Sequence, residues 1–409
     1  MAFSKLKNCL ACNSKNLKQV LDLKTQPLAN SYLKKRNLVE KKFPLKVNAC
    51  LSCNHLQLSI AVNPKRIYQN YDYVSGTTDT YKKFMKKFYN LCIKNKKNFH
   101  YRNILDIGCN DGSQLDVFKS GNFQTYGVDP AKNIFKISSK KHNVICDFFS
   151  KKVVSKINNK FDLIISQNSF AHNPKPLEFL KNVKELMHKD SLFIIQTSQA
   201  DMCKNLEFDT IYHEHINFFN INSMNRLLLR SKLKLDNVIK DPIHGSSYIF
   251  LIKNYSNQKK INKLLKREKF LNYKYYKNWG KSCKEAVKKI RYIFEKTSKK
   301  NIVVGYGAAA KANTFLNFSK IKFEVIIDDN RLKQNKFCPG SKIPIKPLNF
   351  LKNYKSNIYV VPLAWNFYKE IKKRVISVRK GNKDKFILFF PKLLLPHKRH
   401  LRPQQELLF

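Results

Sequence analysis

The stretch Asn103-Ile-Leu-Asp-Ile-Gly-Cys-Asn-Asp-Gly112 decides the fold class of this chain. It begins with an apolar run that is typical of a central parallel strand, and it ends in a turn with two glycines. Gly108 and Gly112 let the backbone pass close to a ligand, and residues 113–119 predict a helix directly afterwards. A strand, a glycine turn and a helix in this order form the unit at which doubly wound folds bind nucleotide-like cofactors.

Length and composition predict a chain of two or three domains. With 409 residues, of which 43% are hydrophobic and 12% aromatic, the chain can bury a large core. No apolar run approaches the roughly 20 residues that span a bilayer. The polar start at residues 1–8 lacks the apolar segment of a signal peptide. We therefore expect a soluble, cytoplasmic protein.

The formal net charge of +51 is typical of proteins that bind nucleic acid or an anionic membrane. Lysine far outnumbers arginine, however, and lysine, asparagine and isoleucine are abundant along the whole chain. A nucleic-acid interface concentrates its charge and places arginine where bases or phosphates are read. We therefore expect neither nucleic acid nor membrane as a partner, although a basic surface helps to attract a phosphate-bearing substrate.

Four cysteines near the N-terminus form two Cys-x-x-Cys pairs, which are Cys9 with Cys12 and Cys50 with Cys53. This spacing lets two short loops close a tetrahedral zinc site. Disulfides are disfavoured in a reducing cytoplasm. Because four thiolates leave no coordination position open for water, we expect the Zn²⁺ ion to be structural.

From about residue 100, strands and helices alternate, which predicts a mostly parallel sheet covered by helices on both faces. The strand-like segments are 104–108, 124–129, 144–147, 161–167 and 192–197. A helix over 223–231 then leads into two strands, 235–239 and 248–253, that are joined by a short connection with a glycine. That late hairpin favours the seven-stranded methyltransferase sheet over a plain dinucleotide fold.

Polar residues follow the predicted strands where a S-adenosylmethionine (SAM) site needs them. SAM requires a glycine turn beside its amino acid part, a carboxylate for its ribose and polar groups at its adenine. The candidate cofactor residues are Asp106, Gly108, Asn110 and Gly112 in the first turn, and Asp129, Asp147 and Asn168 after the next three strands. NAD is the competing cofactor, but Asp111 would repel its pyrophosphate.

A second α/β unit follows a Lys- and Tyr-rich stretch over 255–300, which reads as a pair of exposed connecting helices. The unit opens with Asn301-Ile-Val-Val-Gly-Tyr-Gly-Ala-Ala-Ala-Lys311, again a strand, a glycine turn and a helix. Its turn is similar to a phosphate-binding loop, with Lys311 as the counter-charge of a nucleotide diphosphate. The alternative is a tight turn with a purely structural role.

The segment Tyr212-His-Glu-His-Ile216 concentrates groups that suit either zinc ligation or acid–base catalysis. The metalloprotease pattern is excluded, because it needs histidines at helical i and i+4 positions, while His213 and His215 are two residues apart. If the segment is extended, Glu214 and the histidines lie on opposite faces, so Glu214 can orient a histidine only in a loop. The position after the fifth strand favours catalysis.

The whole pattern resembles the three-domain sugar C-methyltransferases, which methylate C3 of nucleotide-linked 4-keto-deoxysugars. The resemblance covers nearly the whole chain. Besides the cysteines and the two glycine turns, the matching motifs are Gln26-Pro-Leu-Ala-Asn30, Tyr71-Asp-Tyr-Val-Ser75, Ala171-His172, Tyr212-His-Glu-His215, Pro339-Gly340 and Trp365-Asn366.

The resemblance implies roles for individual residues. His215 is implied to be the base that removes the C3 proton, with Tyr212, Glu214, His172 and Tyr73 around the sugar. A C-terminal Rossmann-like domain is implied to help hold the sugar nucleotide, expected to be a dTDP-sugar. Its implied substrate contacts are Gly305, Tyr306, Gly307, Lys311, Asn313 and Trp365.

The sequence thus predicts an α/β chain with a zinc-binding module over 1–70, a class I SAM methyltransferase domain over 71–255, a helical connector over 256–300 and a Rossmann-like domain over 301–409. We expect a monomer or a weak homodimer. One rival is an RNA-modifying methyltransferase that uses the zinc module and the basic surface, but no Asn/Asp-Pro-Pro-aromatic motif is present. A non-catalytic sugar-nucleotide binder is disfavoured by the intact Gly108 turn, Asp129 and His215.

Overall fold

The computed structural model describes residues 2–68, 71, 74–77, 79–96, 98–199 and 201–390. The chain forms two compact units, each built from three separate stretches. The first unit comprises Met1–Gln19, Val47–Ala200 and Glu214–Tyr275, and the second comprises Val20–Lys46, Asp201–His213 and Tyr276–Phe409. The mixed α/β class predicted from the sequence is confirmed. The limits of the four domains remain predictions.

Short strands and two helices precede the glycine turn. In chain order they are β1 (Phe3–Lys5), β2 (Leu17–Pro27), β3 (Lys42–Cys50), β4 (Leu56–Leu58), β5 (Ile60–Val62), α1 (Lys65–Tyr68) and α2 (Asp79–Asn95). Within the first unit, β1 pairs antiparallel with β5, and the end of β3 pairs antiparallel with β4. These pairings give the cysteine-bearing N-terminal stretch a backbone framework.

A seven-stranded sheet forms the centre of the first unit. The elements that follow α2 are β6 (Asn103–Ile107), α3 (Ser113–Ser120), β7 (Gln124–Val128), α4 (Lys132–Ser138), β8 (Asn143–Ile145), α5 (Lys151–Val154), β9 (Phe161–Gln167), α6 (Pro176–Leu186), β10 (Met187–Thr197), β11 (Asn217–Phe218), α7 (Ile221–Arg230), β12 (Lys234–Asp241), β13 (Ser247–Lys253) and α8 (Gln258–Lys266). The sheet order is β12-β13-β10-β9-β6-β7-β8, and β13 runs antiparallel to both of its neighbours. The hairpin predicted from 235–239 and 248–253 is therefore confirmed.

The central strands are buried on both faces, as their continuous apolar runs require. Successive residues such as Ile194 and Ile195 alternate between two separate core clusters. Helices α6 and α7 contribute to one cluster, and α2 and α3 contribute to the other. The sheet therefore presents the carboxyl ends of its parallel strands at one edge, where doubly wound folds bind ligands.

The second unit contains a smaller parallel sheet. Its elements are α9 (Tyr273–Ser298), β14 (Val303–Tyr306), α10 (Ala310–Ser319), β15 (Ile326–Ile327), β16 (Ile345–Lys346), β17 (Tyr359–Pro362), α11 (Tyr368–Val378) and β18 (Lys385–Phe386). The sheet order is β16-β15-β14-β17-β18, and every pairing is parallel.

The pair of helices predicted over 255–300 is confirmed, but its description as exposed is wrong, because each helix buries an apolar stripe. Helix α8 buries Ile261 and Leu264 in a core cluster of the first unit. Helix α9 buries an apolar stripe that includes Val287 and Phe294, and the Phe294 ring packs edge-on against Phe323 of the second unit at 5.0 Å. The many lysines of both helices suggest exposure. Helical periodicity alone does not say which partner covers an apolar face.

Among the described residues, no helix is both long enough and apolar enough to cross a membrane.

Gly280 of α9 tests the packing of the second unit. A Cβ at this position would lie 2.0 Å from the carbonyl oxygen of Val20. Gly280→Ala gains about 0.5–1 kcal/mol of helix propensity, but overpacking against backbone costs about 1–3 kcal/mol. We therefore expect a lower midpoint of thermal unfolding. Ser282→Ala, at a half-buried position of the same helix, is the control and should change little; a Gly280→Ala variant at least as stable as wild type would contradict the contact.

Candidate active site

The turn after β6 adopts a geometry that only glycine accommodates easily. Gly108 has a φ of +86°, and its amide donates a hydrogen bond to the carbonyl oxygen of Val128 at 2.8 Å. A Cβ on Gly108 would lie 2.5 Å from Cβ of Ser169. Ser169 in turn donates its hydroxyl to the carbonyl oxygen of Ile107 at 2.6 Å. The ends of β6 and β9 are thereby held together at the turn.

Asp129 connects the end of β7 to this turn. One oxygen of its carboxylate accepts the amide of Asn110 at 3.0 Å, and the other accepts the amide of Ala131 at 2.9 Å. Burial raises the pKa of Asp129, while these two amides oppose the shift. The side chain is thus fixed at the carboxyl end of the sheet, where the sequence predicts the ribose carboxylate.

Asp106 lies almost fully buried in the same region. Burial, together with the charges of Asp129 and Asp111, raises the pKa of Asp106 to about 8. Among the described residues, Oδ1 of Asp106 has no hydrogen-bond partner. Three carboxyl groups therefore crowd the strand ends, which favours the protonated form of Asp106 near pH 7, and a cationic ligand would favour its ionised form. SAM, with its sulfonium and ammonium groups, fits this site, whereas the pyrophosphate of NAD does not.

The other predicted cofactor residues lie along the same edge of the sheet. Gly112 has a φ of +80° and precedes α3. Asp147 is half-buried just after β8. Asn168 follows β9 with a φ of 52°, and its buried Oδ1 has no hydrogen-bond partner among the described residues. The structure thus brings the predicted polar strand ends to one edge, and their contacts with SAM remain predictions.

The tyrosine-rich segment before α2 lies on the glycine turn. The amide of Ser75 donates to Oδ1 of Asn110, and the amide of Gly76 donates to Oδ2 of Asp111, both at 3.0 Å. Asp111, which the sequence analysis used only as an argument against phosphate, therefore anchors this segment. The position of this segment beside the glycine turn favours a role in lining a substrate cleft.

Two histidines meet beside this edge. The rings of His172 and His215 lie 5.1 Å apart between centroids, and Tyr68 stacks on His172 at 5.7 Å with an interplanar angle of 11°. Burial lowers the pKa of His172 to about 4, so this imidazole is neutral near pH 7. Its Nε2 is buried without a hydrogen-bond partner among the described residues. Such an atom is available to a substrate.

Glu214 receives a hydrogen bond from a residue that the sequence analysis did not assign. The hydroxyl of Tyr71 donates to Oε2 of Glu214 at 2.7 Å. The amide of Tyr71 also donates to Oδ1 of Asn133 at 3.1 Å, which fixes the backbone on α4. Tyr71 is the first residue of the motif Tyr71-Asp-Tyr-Val-Ser75, so the sequence did mark this residue as a candidate. Tyr73, the residue that was assigned, lies outside the described residues.

The segment Tyr212-His-Glu-His-Ile216 forms a loop, as orientation by Glu214 requires. His213 belongs to the second unit, where its Nε2 lies 3.3 Å from the carbonyl oxygens of both Phe43 and Pro44. Tyr212 is half-buried in the same unit. Among the described residues, neither His213 nor His215 joins a cluster that could hold a metal ion. The geometry therefore favours acid–base chemistry over zinc ligation.

In the second unit, the glycine turn after β14 is closed by side chains of the same unit. The amide of Ala308 donates to Oδ2 of Asp328 at 2.7 Å, and Lys333 donates to the carbonyl oxygen of Ala308 at 2.9 Å. Gly307 has a φ of +97°, and a Cβ there would lie 2.6 Å from Cβ of Ala364. These contacts give the turn a structural role, the alternative that the sequence left open.

The predicted substrate residues around this turn are partly engaged with each other. Nζ of Lys311 lies 4.9 Å above the Trp365 ring and 3.9 Å from Oε2 of the buried Glu207. The indole of Trp365 donates to Oδ2 of Asp209 at 2.9 Å. Lys311 is therefore the counter-charge of buried carboxylates. Whether it also meets a diphosphate remains a prediction.

The remaining members of the predicted substrate set have contacts of their own. Asn313 donates its side-chain amide to the carbonyl oxygen of Ala29 at 2.7 Å. The hydroxyl of Tyr306 donates to both carboxylate oxygens of Asp329, at 3.0 and 3.1 Å. Gly305 packs beneath the turn, with Leu363 2.9 Å from the place of a Cβ. Roles in substrate binding remain predictions for all of them.

The four N-terminal cysteines converge in the first unit. Their sulfur atoms all lie within 4.8 Å of one another, with Sγ of Cys9 at 3.6 Å from Cys53 and Sγ of Cys12 at 3.6 Å from Cys50. Sulfur atoms about 2.3 Å from a tetrahedral metal have this separation. The predicted set of cysteine ligands therefore fits Zn²⁺ in position as well as in chemistry.

The two cysteine loops have the same backbone form. Asn13 and Asn54 each follow the second cysteine of a pair, with φ values of 68° and 58°. Each donates its amide to the carbonyl oxygen of the first cysteine, at 2.8 and 2.9 Å. Arg230 of α7 donates to the carbonyl oxygen of Ala11 at 2.7 Å, so the first loop is anchored on a helix that covers the seven-stranded sheet.

The zinc site predicts a metal dependence. Purified protein should retain about one Zn²⁺ ion per chain after dialysis, and Cys50→Ala should lose it and unfold at lower temperature, because structural zinc contributes folding free energy. Elemental analysis and thermal unfolding measure both effects. Cys146→Ala removes a thiol outside the cluster and should keep the metal. Zinc-free wild-type protein would refute the assignment.

The glycine turn predicts a specific loss of cofactor affinity. Gly108→Ala forces a left-handed non-glycine residue against Ser169, so the turn must shift. We expect the Kd for SAM, measured by calorimetry, to rise at least about tenfold, since misplaced turn contacts are each worth on the order of 1.4 kcal/mol. Gly381→Ala carries a similar φ of +85° in open space and should leave SAM affinity unchanged. An unaltered Kd in Gly108→Ala would contradict the assignment.

Comparison with known proteins agrees with this geometry. Three family models match successive segments of the chain: "Putative zinc binding domain" over residues 9–68, "Methyltransferase domain" over 78–238 and "C-methyltransferase C-terminal domain" over 242–391. The C-methyltransferase NovU of Streptomyces niveus is 26% identical over 381 residues, which cover 89% of this chain and 90% of that protein.

Among solved structures, a SAM-dependent methyltransferase from Clostridium acetobutylicum shows 16% identity and a TM-score of 0.36, covering 43% of this chain and 92% of its own. The magnesium protoporphyrin IX methyltransferase of Synechocystis shows 10% identity and a TM-score of 0.34, covering 45% and 88%. The order of the three matched domains and the likeness to NovU confirm the resemblance drawn from the motifs, with SAM and structural zinc as cofactors. The chain is therefore a SAM-dependent C-methyltransferase, and its N-terminal segment matches a putative zinc-binding domain.

Proposed function

We propose that this C-methyltransferase methylates C3 of a nucleotide-linked 4-keto-deoxysugar, with dTDP as the expected nucleotide. The observation that carries the proposal is the contact between His172 and His215 beside the polar strand ends. A 4-keto group acidifies the neighbouring C3–H bond, so such a substrate needs a neutral base at the place where the methyl group is delivered. The motif resemblance and the likeness to a C-methyltransferase support the same assignment.

His215 is the proposed base. An imidazole nitrogen takes the C3 proton, and the electron pair of the broken C–H bond moves into the keto group to give an enolate. A neutral histidine suits this transfer near pH 7. When bound, SAM supplies the electrophilic methyl group. Tyr212 and Tyr73 are the proposed donors to the developing enolate oxygen, where a hydrogen bond lowers the barrier.

Glu214 and His172 are proposed to position the base and the sugar. Glu214 is held by the Tyr71 hydroxyl at 2.7 Å, and this fixes the loop from which His215 projects. His172 is neutral because of its burial, so it packs against His215 without adding a competing positive charge. The glycine turn of the second unit, with Lys311 and Trp365, remains the proposed contact region for the nucleotide.

The base role predicts a separation of binding from chemistry. His215→Asn should bind SAM with near wild-type affinity but lower turnover by roughly two to four powers of ten, because general-base catalysis contributes about that much. Mass spectrometry with a panel of nucleotide-linked 4-keto-deoxysugars measures methylation. Without SAM in deuterated water, wild-type protein should exchange the C3 proton and the variant should not. Near-normal turnover or exchange in the variant would remove His215 from the mechanism.

A further inference from the structure

A second group of potential metal ligands lies at the amino ends of the large sheet, at the edge opposite the polar strand ends. His100 stands just before β6, and His188 and Asp190 stand near the start of β10. Their ligand atoms all lie within 4.8 Å of one another. Nε2 of His100 is 3.0 Å from Oδ2 of Asp190, and the two imidazole rings are 5.0 Å apart and perpendicular.

An irregularity of β10 creates this group. Met187 pairs with Phe161 and Leu192 pairs with Leu163, so a step of five residues on β10 faces a step of two on β9. Such bulges re-aim side chains that a regular strand would alternate between two faces. The hydroxyl of Ser191 accepts the amide of His188 at 2.7 Å and donates to the carbonyl oxygen of Phe161 at 2.6 Å.

The bulge is also held from β13. Nδ2 of Asn254, just after that strand, donates to the carbonyl oxygen of His188 at 2.9 Å and to that of Lys189 at 3.3 Å. The backbone that carries His188 and Asp190 is therefore fixed from two sides. A fixed backbone lowers the conformational cost of binding a ligand.

Asp162 orients the two histidine-bearing segments. This fully buried carboxylate accepts the amides of His100 and its two successors at 2.7–2.9 Å, and its Oδ1 lies 3.2 Å from Nε2 of His188. Histidine ligands of metals commonly donate their second ring nitrogen to a carboxylate. With Nε2–H directed at Asp162, Nδ1 of His188 is the acceptor of the Asp190 amide at 3.3 Å, a long hydrogen bond that a metal ion at Nδ1 would replace.

The charges around the three ligands and their exposure to solvent both permit a cation to bind. Lys96, the nearby buried cation, lies 3.6 Å from Asp162, so its charge is already compensated. The side chains of His100 and Asp190 are 47% and 38% exposed, which leaves room for water in the remaining coordination positions. Two imidazoles and one carboxylate are a donor set that suits zinc, cobalt or nickel better than magnesium or calcium.

We propose that His100, His188 and Asp190 bind a divalent transition metal ion of the zinc, cobalt or nickel class, at a site independent of the four cysteines. The ion ties the segment before β6 to the bulge of β10. Because it binds only the folded arrangement, it stabilises the first unit by mass action. The site lies at the sheet edge away from the glycine turn, so its effect is on stability and not on the methyl transfer.

Cobalt titration of the full-length, zinc-loaded protein tests the proposal. We expect about one Co²⁺ per chain to bind in addition to the cysteine-bound zinc, with visible bands that lack thiolate charge transfer, and to raise the midpoint of thermal unfolding by about 2–5 °C. His188→Gln and Asp190→Asn should each weaken Co²⁺ binding at least about tenfold, since even loss of a group behind a ligand costs about 10–100-fold.

One control variant and a third ligand variant distinguish this site from Co²⁺ binding elsewhere on the first unit. Glu178→Gln removes an exposed carboxylate that pairs with Lys175 in the first turn of α6, after the carboxyl end of β9, and should leave Co²⁺ binding unchanged. His100→Asn alters a half-exposed ligand and keeps a folded chain measurable if the buried His188 variant is unstable. The proposal is overturned if zinc-loaded protein binds no added Co²⁺, if the added ion survives all three ligand variants, or if cobalt only replaces the cysteine-bound zinc.

Discussion

The crowding of three carboxyl groups at the carboxyl ends of β6 and β7 is the constraint around which the first unit is arranged. Asp106 is buried with an oxygen that has no partner among the described residues, and Asp129 and Asp111 stand near enough to raise its pKa. The left-handed turn at Gly108 makes this arrangement possible, because it brings the backbone close to Ser169 where a side chain would clash. A cationic cofactor completes the electrostatics, and an anionic one would worsen them.

The catalytic proposal depends on the same edge. Segment 74–76 donates two amides to the turn, which places the neighbouring Tyr71 where it can hold Glu214. Burial keeps His172 neutral beside His215. Cofactor turn, tyrosine segment and histidine pair are thus joined by hydrogen bonds and ring contacts within one unit. A shift of the Gly108 turn would therefore change the position of His215, the proposed base.

The two glycine turns have similar sequence patterns but different electrostatic surroundings. After β6, the turn amide of Asn110 donates to Asp129, and the crowded carboxyl groups of Asp106, Asp111 and Asp129 still raise the pKa of Asp106. After β14, the amide of Ala308 is taken by Asp328, while Lys333 and Lys311 each lie within 4 Å of a carboxylate oxygen. The first turn is consistent with a cationic ligand, and the second is satisfied by its own unit. Only the identity of the charged neighbours distinguishes them.

The sequence by itself determined the elements whose signal is local. The run before Gly108 predicts a buried strand because it is mostly apolar and stops at a glycine, and the cysteine pairs predict zinc because their spacing sets the loop geometry. The hairpin of β12 and β13 follows from two apolar runs with a short connection. Contacts between distant residues were decided only by the tertiary structure. Four such features join positions far apart in the chain. They are the hydrogen bond from Tyr71 to Glu214, the hydrogen bond from the Ala308 amide to Asp328, the burial of the apolar stripe of α9 and the bulge beside His188. Packing and burial select those partners, and no local pattern encodes them.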